Sequence, residues 1–260
     1  MEKIKLIATD MDGTFFEEGC PAITDEDAKL INAVIDKGYI FCACSGRPYG
    51  NMRRAFAPVA DRLLFICDNG ANIMYNDRCI YRDAMDRQLC YEFIDDILSL
   101  DDRRELVVCT PHEYVLMPKR DEFIAVMTNT WHMTVRTAPS KDRIIDDILK
   151  LSVYFRDGVD MDEVRAMQDK WLTRINNSFI SGTTWLDFQN ADKGGGLKKA
   201  AEYLRIELSE IMAFGDNYND ISMLEAAGIS YAMSHSPADV QKHAKFTTPS
   251  VQEVLKGLLQ

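Results

Sequence analysis

Residues 4–14 read IKLIATDMDGT, a short apolar run that ends in an acidic pair and a glycine. The run Ile4 to Thr9 has the composition of a buried strand, and Asp10 and Asp12 follow it directly. Ligands of open α/β sheets bind at the carboxyl ends of the strands, and Gly13 permits a tight turn there. We therefore interpret Asp10 and Asp12 as a functional pair.

Two further pairs in the chain have the same spacing, so the spacing alone is weak evidence. Asp25 and Asp27 begin a helical pattern over 25–37 that Thr24 is placed to cap, and Asp160 and Asp162 precede another. Acidic side chains are stabilised near a helix N-terminus by the helix dipole. We expect these two pairs to begin helices, and the strand before Asp10 distinguishes the first pair from them.

The following segments repeat the pattern of a strand that ends in polar residues. A strand over 39–44 leads to Ser45-Gly46-Arg47, and a strand over 63–67 leads to Asp68-Asn69-Gly70-Ala71. Alternating strands and helices predict a parallel sheet with a ligand crevice at the strand carboxyl ends. The fold class is therefore α/β, with a Rossmann-like parallel sheet and helices on both faces.

From about residue 83 this alternation gives way to a mixed α and β pattern, which includes an acidic helix over 142–150. After residue 192 the first pattern returns, with a strand over 211–214. The first and last parts of the chain are thus expected to form one sheet, interrupted by an inserted α+β domain. The expected boundaries are 1–82 and 189–260 for the core and 83–188 for the insert.

Composition and charge exclude several classes of protein. The 260 residues carry a formal net charge of −11 without a basic cluster, which argues against a nucleic-acid partner. No run approaches the roughly 18 apolar residues of a membrane span, and the first residues lack the pattern of a signal peptide. The seven cysteines include no CxxC pair, which disfavours a zinc site and fits free thiols. We expect a cytoplasmic location.

The segment after the strand over 211–214 is rich in oxygen acceptors: Asp216, Asn219 and Asp220 lie within five residues of one another. A helix cap explains one or two of these side chains, but not all three. Carboxylates from separate strands, together with carbonyls and water, form the oxygen-only coordination shell that Mg²⁺ prefers. This segment and the first acidic pair therefore predict a magnesium site.

Two other features are weak when each is considered alone. Lys193 precedes three glycines at a helix start, and a solvated loop lysine is the better interpretation of it in isolation. Ser45 and its neighbours are also compatible with an ordinary strand-to-helix turn, although backbone N–H groups there can bind an anion. Their shared placement at strand ends and helix starts strengthens the case for a functional site.

These four elements, in this order, resemble the haloacid dehalogenase superfamily of phosphotransferases, and the insert resembles the C2-type cap of Cof-type phosphatases. The likeness covers the whole chain, and DxDGT with GDNxND is a specific combination. The resemblance implies a nucleophile at Asp10, a general acid/base at Asp12, and a catalytic, phosphate-binding Lys193. It implies phosphate or substrate contacts at Ser45, Gly46, Arg47, Asn69 and Asn219. It implies magnesium binding by Asp10, Asp12 through its backbone carbonyl, and Asp216, with Asp220 in support of either the metal shell or Lys193.

The resemblance also implies a function: Mg²⁺-dependent hydrolysis of small phosphorylated metabolites, sugar phosphates above all, through an aspartyl-phosphate. Two alternatives stay open, a phosphomutase of the same superfamily and a phosphate-sensing module without turnover. The expected state is a monomer or a homodimer without a membrane partner. The chain departs from the family pattern at Phe15-Phe16, and at Ser234-His235-Ser236, where His235 has no assigned role.

Overall fold

The computed structural model describes residues 4–16, 20, 22–130 and 133–260. The chain divides into two compact units. Unit 1 consists of Met1–Arg82 and Asp192–Gln260, and unit 2 consists of Asp83–Ala191. Among the described residues, no helix is both long and apolar enough to cross a membrane.

The strands are β1 (Leu6–Thr9), β2 (Ile40–Cys44), β3 (Leu64–Cys67), β4 (Asn72–Tyr75), β5 (Arg78–Arg82), β6 (Arg104–Cys109), β7 (Tyr114–Leu116), β8 (Val135–Thr137), β9 (Lys150–Phe155), β10 (Asn177–Ser181), β11 (Trp185–Gln189), β12 (Ile211–Gly215), β13 (Ile229–Met233) and β14 (Phe246–Thr248). The α-helices are α1 (Asp25–Asp36), α2 (Tyr49–Ala55), α3 (Arg87–Ser99), α4 (Asp121–Ala125), α5 (Met161–Trp171), α6 (Lys193–Leu204), α7 (Ile221–Ala226), α8 (Ala238–Gln241) and α9 (Val251–Leu259).

Unit 1 is built on an eight-stranded sheet in the order β14-β13-β12-β1-β2-β3-β4-β5. The strands from β14 to β3 are parallel, and β4 and β5 add an antiparallel edge. Alternate residues point to opposite faces of a strand. Ile7 of β1 therefore packs with α1 and α9, while its neighbour Leu6 packs with α6 and α7. Helices cover both faces, so the predicted fold class is confirmed.

The two look-alike acidic pairs begin helices, as predicted. The Thr24 hydroxyl accepts a hydrogen bond from the backbone N–H of Asp27 at 3.1 Å, and the Asp27 carboxylate accepts from the N–H of Thr24 at 3.0 Å. Asp160 caps α5 by accepting from the N–H of Asp162 at 2.9 Å. Each cap satisfies N–H groups that have no partner within the helix.

The helix predicted over 142–150 is wrong. A 3₁₀ turn at Lys141–Arg143 is followed by irregular chain up to β9. The Arg87 guanidinium donates to the carbonyls of Ile144, Ile145 and Asp146, which a helix would instead pair with N–H groups four residues further on. A side chain distant in sequence thus takes the place of the helical hydrogen bonds.

Unit 2 contains a six-stranded sheet in the order β10-β11-β9-β6-β7-β8, antiparallel except for the β7–β8 pair. Helices α3 and α5 cover one face, where the Phe93 ring lies 4.9 Å from Trp171 and 5.0 Å from Phe188. On the other face, Phe123 of α4 stacks on Tyr154 at 5.2 Å. The insert therefore has hydrophobic clusters of its own.

Candidate active site

The turn after β1 is tight and anchored in the core. The Met11 carbonyl accepts hydrogen bonds from the N–H groups of Phe15 and Phe16 at 3.0 and 2.8 Å. Both rings are buried, with Phe15 centred 5.6 Å from Phe41 and Phe16 centred 5.3 Å from Phe56. The aromatic pair that departs from the family pattern thus fixes the loop that carries the first acidic residues.

Gly13 joins this turn to the end of β12. Its φ of +79° lies in the region that favours glycine, and a Cβ there would lie 2.8 Å from an Asp216 carboxylate oxygen. The neighbouring Thr14 hydroxyl donates to the other Asp216 oxygen at 2.7 Å. Thr14 is a site residue that the sequence reasoning did not single out, although its hydroxyl within the DGT motif was visible. Contacts of Gly13 and Thr14 with Asp216 therefore hold the loops after β1 and β12 close together.

Lys193, the first residue of α6, is completely buried. Its ammonium lies 2.5 Å from an oxygen of Asp10 and 2.5 Å from an oxygen of Asp220. The preceding residue, Asp192, caps the helix by accepting from the N–H of Gly195 at 2.8 Å. Lys193 is therefore not the solvated loop lysine that its sequence context alone favours. Its side chain bridges the residues that follow β1 and β12.

Asp220 is engaged on both carboxylate oxygens. One accepts the Lys193 ammonium, and the other accepts the N–H groups of Asp216 and Asn217, each at 3.0 Å. Asp220 is also fully buried. These contacts fit a residue that shapes the turn after β12 and holds Lys193 better than they fit a direct metal ligand.

Asp10, Asp216 and Asp220 form an acidic cluster whose nearest carboxylate oxygens all lie within 4.8 Å of one another. Burial raises the pKa of Asp10 well above its ordinary value, against the attraction of Lys193, and the two neighbouring carboxylates act in the same direction as burial. Burial likewise raises the pKa of Asp216. Burial disfavours the charged form of Lys193, yet Asp10 and Asp220 raise its pKa above the ordinary lysine value.

The donor set of this cluster fits Mg²⁺. All three side chains offer oxygen, which is the ligand type that this hard cation prefers. Three carboxylates against one ammonium leave two uncompensated negative charges when all are ionised, which a divalent cation would balance. Since Asp220 is already engaged on both oxygens, Asp10 and Asp216 are the side chains best placed as ligands.

The ends of β2, β3 and β12 are joined by a second set of contacts. The carbonyl of the buried Ser45 accepts from the N–H of Asn69 at 3.0 Å, and the Asn219 amide donates to the Asn69 side chain at 3.2 Å. Asn69 adopts a left-handed conformation with φ of +49°. A Cβ on Gly46 would lie 3.0 Å from the Asn69 side-chain oxygen. Four predicted phosphate-site residues therefore surround one point of the sheet edge.

Asp12 and Arg47 form an ion pair that the sequence reasoning did not anticipate. The Arg47 Nε donates to one Asp12 oxygen at 2.9 Å, and its Nη2 donates to the other at 2.5 Å. The Asp12 side chain is 49% exposed, whereas the Asp10 side chain is 10% exposed. His235 is exposed, and no role is assigned to it. Asp10 and Asp12 thus have different environments and different partners.

Comparison with known proteins shows the family of the chain. A sequence model of haloacid dehalogenase-like hydrolases matches residues 7–259. The Bacillus subtilis (strain 168) protein YxeH is 30% identical, over 96% of this chain and 94% of its own. The Escherichia coli (strain K12) protein YbjI, a 5-amino-6-(5-phospho-D-ribitylamino)uracil phosphatase, is 23% identical over 95% and 91%.

A solved structure from Eubacterium rectale superposes with a TM-score of 0.85 at 29% identity, over 98% of this chain and 99% of that one. Fold and relatives together define an enzyme of the phosphatase class. The chain belongs to the haloacid dehalogenase-like hydrolase family, as its sequence motifs indicated.

Proposed function

We propose that this protein is a Mg²⁺-dependent phosphatase that hydrolyses small phosphorylated metabolites, sugar phosphates above all, through an aspartyl-phosphate on Asp10. The observation that carries the proposal is the convergence of Asp10, Asp216 and Asp220 around the buried Lys193. This arrangement supports the assignment of a nucleophilic carboxylate, a fixed cation and an oxygen-rich metal site to one edge of the sheet.

Asp10 is the nucleophile in this proposal. Lys193 holds one of its carboxylate oxygens, and the other attacks phosphorus. A bond from Asp10 to phosphorus forms while the bond from phosphorus to the ester oxygen breaks, and Asp12 donates a proton to the departing alkoxide. In the second half-reaction Asp12 removes a proton from water, whose oxygen attacks phosphorus while the bond from phosphorus to the Asp10 oxygen breaks. Inorganic phosphate leaves and the Asp10 carboxylate is regenerated.

The proposed magnesium ligands are Asp10, Asp216 and the backbone carbonyl of Asp12. Asp220 supports them through its contacts with Lys193 and with the N–H of Asp216. When bound, the ion would offset the repulsion between the Asp10 carboxylate and the phosphate dianion. Lys193 contributes a fixed positive charge that needs no reorientation during the reaction, because two carboxylates hold it in place.

Ser45, Gly46, Asn69 and Asn219 are proposed to bind the phosphate oxygens, through hydroxyl, backbone N–H and amide groups. Ser45 is buried at 3% exposure, at the end of β2. Substrate choice is assigned to unit 2, as the resemblance to capped phosphatases implies. The name of the relative YbjI describes a substrate with a phosphorylated ribityl group, which supports a phosphorylated sugar or polyol for this chain. The seven free cysteines support a reducing cytoplasm.

The proposal is tested by phosphate release from 4-nitrophenyl phosphate and from a panel of sugar phosphates. We expect release to require Mg²⁺, to stop in excess chelator, and to return when Mg²⁺ is restored, because two uncompensated carboxylates remain without it. Calorimetric titration with Mg²⁺ alone gives a second readout. Undiminished turnover in chelator would contradict the metal role, and transfer of phosphate to a sugar without free phosphate would indicate the mutase.

A Gly13→Ala substitution should raise the Mg²⁺ concentration needed for half-maximal activity and lower kcat about 100-fold. The added Cβ strains a backbone at φ of +79° and pushes on Asp216 from 2.8 Å. Gly257→Ala is the matched control, since its Cβ meets nothing within 4 Å on α9. If both variants respond to Mg²⁺ as the wild type does, Asp216 is not a ligand that depends on this turn.

A further inference from the structure

The contact between Arg47 and Asp12 departs from the role that the sequence assigns to Arg47. Two nitrogens of one guanidinium meet both oxygens of one carboxylate, at 2.9 and 2.5 Å. Bidentate charge-assisted pairs of this kind fix the plane as well as the position of a carboxylate. The phosphate contact expected of Arg47 would have to use donors other than these two.

The backbone of Arg47 is itself held on both sides. Its N–H donates to the Ser45 hydroxyl at 3.2 Å, and its carbonyl accepts from the N–H of Asp68 at 3.0 Å. Pro48 follows, with its fixed φ, and is the N-cap residue of α2. The guanidinium therefore projects from a main chain that is held in place at the ends of β2 and β3.

Asp12, in contrast, lies in a half-exposed position, with its side chain 49% accessible. A carboxylate at such a position has access to several rotamers, and ordering it costs free energy. Exposed ion pairs contribute little to stability, typically below about 1 kcal/mol, so stability is a weak reason for this one. Proton transfer, however, depends steeply on the direction and distance of the donor.

We propose that Arg47 is a positioning residue for Asp12, and that it directs the Asp12 carboxyl toward the leaving-group oxygen instead of binding the phosphate. The inference rests on the proposed function, because it needs Asp12 to transfer a proton. Arg47 makes no bond to the reacting atoms. Its contribution is the orientation of a proton donor that would otherwise be mobile.

The test compares two substrates with different needs for a proton donor. 2,4-Dinitrophenolate leaves without protonation, whereas the alkoxide of glycerol 2-phosphate does not. We expect Arg47→Gln to lower kcat/KM for glycerol 2-phosphate about 100-fold and that for 2,4-dinitrophenyl phosphate less than about 5-fold. Because both rates come from one preparation, an unfolded fraction cancels in their ratio. Arg47→Lys, which keeps the charge but loses the fork, should fall between the wild type and Arg47→Gln.

A double-mutant cycle with Asp12→Asn separates orientation from phosphate binding. The cycle measures kcat/KM for 2,4-dinitrophenyl phosphate and for glycerol 2-phosphate. If Arg47 acts through Asp12, Arg47→Gln should lower kcat/KM almost no further once Asp12→Asn is present. The inhibition constant of inorganic phosphate should stay within about 2-fold of wild type in Arg47→Gln. Arg53→Gln on α2 is the matched control: it removes ion pairs to the exposed Asp61 and Asp77 and should change kcat/KM for neither substrate.

Three results distinguish the ideas. The inference would be overturned if Arg47→Gln lowered kcat/KM equally for both substrates, if this loss multiplied with that of Asp12→Asn in the double variant, and if inorganic phosphate inhibited more weakly. Arg47 would then be a phosphate-binding residue. A wild type inactive on both substrates with Mg²⁺ would instead overturn the proposed function. Unequal losses that disappear in the Asp12→Asn background support the positioning role.

Discussion

Asp10→Asn is expected to lower the rate of phosphate release on the order of 10⁴-fold or more. The amide has no negative charge and is a poor nucleophile, so neither half-reaction can pass through a phosphoaspartate at this position. The fold should persist, because Lys193 keeps its contact with Asp220 and one of three crowded carboxylates is neutralised. Initial rates with 4-nitrophenyl phosphate and thermal unfolding of the same sample measure both effects.

The matched control for this variant comes from the look-alike pair on α1. Asp25→Asn changes an exposed acidic residue with the same DxD spacing at a helix start, and its activity should equal that of the wild type. Quenched samples of the wild type should also contain an acid-stable, base-labile phosphoprotein that is absent from Asp10→Asn. Wild-type turnover in Asp10→Asn would assign the nucleophile to another residue.

Lys193→Ala is expected to combine a loss of turnover of about 1,000-fold with a loss of stability of about 3–5 kcal/mol. The sequence alone suggests a lysine whose removal leaves the fold intact. The structure changes that expectation, since removal of the ammonium leaves Asp10 and the fully buried Asp220 without the cation that each contacts at 2.5 Å. Denaturant unfolding and turnover are measured in parallel.

A second substitution separates the two losses. Lys193→Ala with Asp220→Asn removes one of the stranded charges, so much of the lost stability should return while turnover stays low. Lys199→Ala on the same helix removes a lysine that is 47% exposed and whose ammonium lies 3.0 Å from a carboxylate oxygen of Glu202. This substitution should change the free energy of unfolding by less than about 1 kcal/mol. A stable, inactive Lys193→Ala would show that the buried pairs contribute little to folding.

The elements of the sheet were predictable because their signals are local. Short apolar runs that end in polar residues identified β1, β2, β3 and β12 to within a residue or two, and parallel strands necessarily bring those ends to one edge. Asp10, Asp216 and Asp220 could therefore be expected to converge before any coordinates were known. Thr24 and Asp160 likewise began helices because a cap depends only on the residues next to it.

The features that sequence did not predict depend on partners distant along the chain. Burial of Lys193 results from the docking of α6 against two strand ends, which no local pattern encodes. The pairing of Arg47 with Asp12 connects two different loops, and each residue has a role of its own in the expected site, so neither residue predicts the other as its partner. The false helix over 142–150 has the same origin, because Arg87 competes for its carbonyls.

The position of β1 also constrains how the nascent chain acquires activity. This strand pairs with β2 on one side and with β12 on the other, where Leu6 lies opposite Ile211. During synthesis the first strands leave the ribosome long before β12 exists, whereas unit 2 is continuous in sequence and complete earlier. Since domains generally fold as units, we expect unit 2 to fold first, and unit 1 to fold only after its C-terminal part has been synthesised. Lys193 and Asp216 arrive late in translation, so a truncated chain would contain the proposed nucleophile Asp10 without these two residues.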